Sequence, residues 1–128
     1  MKVKELMRTS VAKVSPAATV REALSRMDGS GVTLLPVEDA EGFLFGVARL
    51  ADLSRAVAEG RVASSAAVGD GLSPHLVTAT PEMDAARVAE MMRDKRVDDI
   101  MVVEGRYLVG ALSLAEAGKA ETGPRPAL

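Results

Sequence analysis

The chain has 128 residues, 48% of them hydrophobic, with a formal charge of −2 and an isoelectric point near 5.4. That is one domain's worth of chain, or two half-domains sharing a core, and it has no basic field to attract a phosphate backbone, so nucleic acid is not an expected partner. The absence of cysteine excludes disulfides, thiolate metal sites and thiol catalysis. An aromatic share of 2% leaves the core to Val, Leu, Ala and seven Met, and offers little for single-stranded bases to stack on.

In chain order, Met1-Lys2-Val3-Lys4-Glu5 lacks the apolar run of a signal peptide. No stretch approaches the roughly 20 apolar residues that span a bilayer. A soluble cytoplasmic protein without a membrane partner is the expectation. A short strand is expected near Val11–Val14. Thr19-Val20-Arg21-Glu22 reads as a capping box, opening a helix whose apolar face is Val20, Ala23, Leu24 and Met27. Leu34-Leu35-Pro36-Val37 and Phe43-Leu44-Phe45-Gly46-Val47, separated by a turn containing Gly42, predict a β-hairpin. A helix over Ala51–Glu59 closes this part, and the small, polar stretch Gly60 to Ala67 reads as a linker.

The second half repeats the pattern. A strand is expected near Leu76–Ala79, and Asp84 caps a helix with the stripe Ala85, Val88, Ala89 and Met92. Ile100-Met101-Val102-Val103 and Tyr107 to Leu112 form a second predicted hairpin, and a weaker helix follows Ser113. From Gly118 onward there is no apolar periodicity, and residues 119–128 read as a disordered tail. At an offset of 65 residues, Val3 falls on Val68, Pro16 on Pro81, Met27 on Met92 and Val37 on Val102. After a one-residue contraction in the hairpin turn, Gly46 matches Gly110 and Asp52 matches Glu116 at an offset of 64. The chain is thus two β-α-β-β-α units, repeat 1 over about 1–60 and repeat 2 over about 66–118. Each copy is too small to bury a good core alone.

Doubled at constant spacing, these elements resemble a tandem pair of cystathionine-β-synthase (CBS) domains. The resemblance rests on Val3 to Met7, Val14-Ser15-Pro16, Leu35-Pro36-Val37 and Gly46 followed by Asp52. In the second copy it rests on Val68-Gly69-Asp70, Thr80-Pro81, Val102-Val103-Glu104 and Gly110 followed by Ser113. It implies an α+β fold of two pseudo-symmetric repeats packed together through their sheets. It also implies a stand-alone regulatory module with no chemistry of its own and no required cofactor. Such modules bind an adenosine-containing ligand (AMP, ADP, ATP, NAD or S-adenosylmethionine, with Mg²⁺ as an option) between the repeats, pair into disc-like homodimers and signal to a partner. The alternative is a ligand-free dimeric interaction scaffold with degenerate clefts.

In the family the turn after the second hairpin strand carries Gly, two apolar residues, a hydroxyl residue, two more residues and Asp. The hydroxyl is implied to reach phosphate or ribose, and the carboxylate to accept from the ribose hydroxyls. Both copies depart from that pattern. Repeat 1 keeps Asp52 and replaces the hydroxyl with Arg49, which either clamps a phosphate or fills the cleft. Repeat 2 keeps Ser113 and lengthens the carboxylate to Glu116, and Ser-x-x-Glu is equally a capping box. The adenine pocket is implied at Val32 and Thr33 in one copy and Val97 and Asp98 in the other. The two valines serve equally as core.

Asp98-Asp99 would repel phosphates, favouring a less charged adenosine compound or a metal-bridged phosphate, with Lys95 and Arg96 either compensating or simply solvated. On a strand these two carboxylates point to opposite faces, which is no acid–base dyad. His75, the only histidine, has no nucleophilic set around it and reads as a solvated loop residue. Met83, Met91, Met92 and Met101 read as helix-face and seam packing.

Overall fold

A computed structural model describes residues 1–72 and 77–120. The elements follow the repeat. The first copy gives α1 (Val20–Ser30), β1 (Leu34–Glu38), β2 (Leu44–Arg49) and α2 (Leu50–Ala58). The second gives β3 (Thr78–Ala79), α3 (Ala85–Lys95), β4 (Asp99–Glu104), β5 (Tyr107–Ser113) and α4 (Leu114–Gly118). His75 and the tail residues 121–128 lie outside the described residues.

β1 and β2 form an antiparallel hairpin, and β3-β4-β5 a three-stranded sheet with β3 parallel to β4 and β5 antiparallel. The two hairpins share a register. Val37 pairs with Gly46 and Val102 with Gly110, and each first strand carries a bulge at the next residue. The one-residue contraction therefore falls in the turn. The expected strand near Val11–Val14 is reduced to one parallel bridge, Val14 to Val37, the counterpart of the Ala79–Val102 pair in β3. Phe43 precedes β2, and Phe45 is 55% exposed, so the second apolar run of that hairpin is buried from Gly46 onward.

The chain divides into a contiguous unit, Ala12–Leu76, and a split unit, Met1–Val11 with Val77–Leu128. The opening segment of each sequence repeat thus packs with the body of the other. In the split unit the amides of Val3 and Lys4 donate to the carbonyls of Met83 and Pro81. In the contiguous unit Val68 and Gly69 donate to Ala18 and Pro16 in the same way. Val3 is fully buried in one core, with Val88, Met92, Ile100 and Leu112. Val68 is fully buried in the other, with Val20, Met27, Leu35 and Leu53. Burying one such valine stabilises by about 1.5–3 kcal/mol.

The stretch read as a linker is not slack. The amides of Val20 and Arg21, orphan donors in the first turn of α1, donate to Ala66 and Ser64 at 2.9 Å each. Composition alone hid this, because the acceptors are backbone carbonyls. Thr19 caps α1 through its hydroxyl, which accepts from the Glu22 amide at 3.1 Å. The return bond of a full capping box is absent there among the described residues. Asp84 caps α3 as expected, accepting from the Arg87 amide. Both long helices end on a left-handed residue, Gly31 (φ 70°) after α1 and Arg96 (φ 56°) after α3. Glycine adopts that conformation freely, whereas a residue with a Cβ is strained there by about 1–2 kcal/mol.

Candidate functional site

The candidate residues gather where each hairpin ends and its closing helix begins. In the contiguous unit Leu34 pairs with Arg49, and the Thr33 carbonyl accepts from the Leu50 amide at 2.9 Å. Thr33, Arg49 and the first turn of α2 with Asp52 therefore share one corner. In the split unit Asp99 pairs with Ser113, and the Asp98 carbonyl accepts from the Leu114 amide at 2.8 Å. That brings Asp98, Ser113 and Glu116 together. The backbone of the two corners is the same, and their side chains are not.

At the split-unit corner the Ser113 hydroxyl accepts from the Glu116 amide at 3.0 Å, and Glu116 Oε1 accepts from the Ser113 amide at 2.8 Å. This is a complete capping box. The same Oε1 accepts from Arg8 Nε at 3.1 Å, and Arg8 Nη2 lies 3.7 Å from Asp99 Oδ1. The backbone holds Arg8 in place, its amide donating to the Ala111 carbonyl at 2.8 Å and its carbonyl accepting from the Ala111 amide at 2.9 Å. Burial pushes the Glu116 carboxyl up, but the hydrogen bonds from Ser113 and Arg8 outweigh it and leave the group below its ordinary value. For Asp99, burial wins over the Arg8 guanidinium, and with Asp98 and Glu116 nearby its carboxyl is raised.

The contiguous-unit corner differs in its side chains, which engage no partner among the described residues. Arg49 occupies the N-cap position of α2 without a side-chain cap bond, and it is half-buried, while Asp52 and Thr33 are exposed. Neither Arg49 nor Asp52 has a side-chain hydrogen bond or ion pair among the described residues. A planar guanidinium and a carboxylate with free lone pairs can together take a phosphate and a pair of hydroxyls.

The remaining candidates separate. Val32 is half-buried and packs on the core of its unit, and Val97 is buried in the core of the other. Asp98, Lys95 and Arg96 are exposed. Met92 and Met101 are buried and Met91 is partly so, but Met83 is 43% exposed and lies in the turn before α3, so it is neither helix-face nor core packing. A depression of about 620 Å³ on the contiguous unit is lined by Ala12, Val14 and the outward side of α1, including Arg21 and Arg26. It contains none of the candidate residues. Among the described residues no polar or charged side chain is fully buried, no acidic or histidine cluster is placed to hold a metal ion, and no helix is long and apolar enough to cross a membrane. Arg8 is the residue that sequence reasoning missed. Its partner is 108 positions away, and the available signal was the offset itself, which sets Arg8 against Ser73.

A duplicated α+β unit with a strand-to-helix corner in each copy defines a class of paired-repeat modules. The CBS domain family model matches residues 3–59 and 68–118, and the chain belongs to that family. It is 32% identical over 115 residues to the CBS domain-containing protein YhcV of Bacillus subtilis, covering 89% of this chain and 81% of that one. Among solved structures, CBSX2 in complex with AMP superposes with a TM-score of 0.83 at 23% identity, covering 94% of this chain and 96% of that chain. The CBS domain pair of protein MJ0100, in complex with 5′-methylthioadenosine and S-adenosyl-L-methionine, gives 0.81 at 19% identity over 96% and 97%.

Proposed function

We propose that this chain is a non-catalytic regulatory module that binds an adenosine-containing ligand at the Thr33–Arg49–Asp52 corner. It acts as a cytoplasmic homodimer and passes the bound state to a partner protein. The observation that carries this reading is the placement of Arg49 and Asp52 together at the start of α2, both without side-chain partners among the described residues. Asp52 accepts from the ribose hydroxyls, and Arg49 meets a phosphate through its planar fork. Val32, half-buried beside them, gives apolar contact to the base. The adenosine compounds held by CBSX2 and MJ0100 support the ligand class. With a di- or triphosphate ligand, Mg²⁺ would supply charge neutralisation beside Arg49.

The test is a thermal-shift panel with AMP, ADP, ATP, NAD and S-adenosylmethionine, each with and without Mg²⁺. A ligand at 100 times its Kd adds about 2.7 kcal/mol, which raises Tm by several degrees. The expected result is a shift with one compound that Asp52→Ala abolishes. A flat panel at millimolar concentrations favours the ligand-free scaffold, a reading that the engaged Glu116 already supports for the other corner.

A further inference from the structure

We infer that Arg8 keeps the Ser113–Glu116 corner shut, so that the chain takes one adenosine ligand rather than two. This rests on the adenosine reading above and assigns its stoichiometry to a residue in neither corner motif. Three observations carry it. Glu116 Oε1, one of the two oxygens a ribose diol would use, already accepts from the Ser113 amide and from Arg8 Nε. Arg8 is anchored from both sides, by the backbone pair with Ala111 and by its approach to Asp99. A ligand must therefore displace a held guanidinium and leave two carboxylates facing each other.

The charge balance points the same way. Asp99 and Glu116 both pair with Arg8, the one cation engaged there among the described residues, and Asp98 adjoins them, so carboxylates outnumber the paired cation and disfavour phosphate. The equivalent positions in the contiguous unit are Thr33, Leu34 and Asp52, where Arg49 balances the one carboxylate.

Isothermal titration calorimetry of the full chain with adenosine, which is uncharged, tests this. Wild type is expected to bind one adenosine per chain, Asp52→Ala none, and Arg8→Ala two. Arg8→Met keeps the aliphatic stem and is expected to gain the same second site, which guards against a merely misfolded Arg8→Ala. AMP gains no second site in either variant, because removing Arg8 leaves the corner more negative.

Two sites in wild type, or unchanged stoichiometry in both Arg8 variants, overturns the inference and leaves the adenosine reading standing. One site that appears only in the Arg8 variants supports the role of Arg8 and overturns the reading of the Arg49–Asp52 corner. No binding by any of these chains overturns both.

Discussion

The corners of the contiguous and split units share one backbone arrangement and differ in what their side chains engage. In both, the residue before the hairpin accepts from the first amide of the closing helix, and the hairpins share register and bulge. In the split unit the side chains are used up on the protein itself, with Ser113 and Glu116 capping α4 and Arg8 closing over them. In the contiguous unit the N-cap side chain is idle and the acidic residue is exposed. Groups that satisfy one another stabilise a helix end, and groups left open can recognise something else.

The largest expected effect separates the glycines under the opening segments. A Cβ on Gly110 would lie 2.8 Å from the Arg8 carbonyl and 2.9 Å from Met7 Sδ, so backbone must move. On Gly46 it would lie 2.6 Å from Leu72 Cδ1, the far end of a flexible side chain that can rotate away. Gly110→Ala is expected to cost about 1–3 kcal/mol, and Gly46→Ala less. Thermal unfolding measures both, and equal losses would break the comparison.

A smaller effect sharpens it. Glu116→Ala removes half of a capping box and is expected to cost about 1 kcal/mol, whereas Asp52→Ala, on an exposed and unengaged carboxylate, stays within about 0.5 kcal/mol. If Asp52→Ala destabilises as much as Glu116→Ala, the contiguous corner is not open.

The smallest effect is read by carboxyl ¹³C titration. Glu116 titrates below its ordinary value, so the stability it contributes is present above that value and is lost as pH falls through its folded pKa. Asp99 is raised, so its contribution runs the other way, declining as pH rises through its folded pKa. The Arg8 guanidinium lowers both groups. Arg8→Met is therefore expected to move both midpoints upward, and an unmoved Glu116 would remove Arg8 from the corner.

Much of the fold was legible because it is local. Apolar spacing placed α1 and α3, the glycine-containing turns placed the hairpins, and the change of offset put the contraction in the turn. The Ser113–Glu116 capping box is local too, and it formed as one of its two readings. Contacts between distant segments left no periodic trace. Val3 belongs by sequence to the first repeat and is buried in the split-unit core, and nothing near Arg8 announces Glu116. The hydrogen bonds that the Gly60–Ala67 stretch makes to α1 were not legible either, since they are carried by carbonyls that every residue possesses.

The crossed opening segments also set an order of events during synthesis. The contiguous unit needs only Ala12–Leu76 and can close as soon as that stretch has emerged from the ribosome. Residues 1–11 emerge before their partners at Pro81, Met83 and Ala111, with the whole contiguous unit made in between. Val3 and its neighbours must therefore wait, apolar and unburied, while the whole of the other unit is translated. At about 5–20 residues per second that delay lasts several seconds. Lys2, Lys4 and Glu5 flank Val3 with charge, the arrangement that opposes aggregation of an exposed apolar residue.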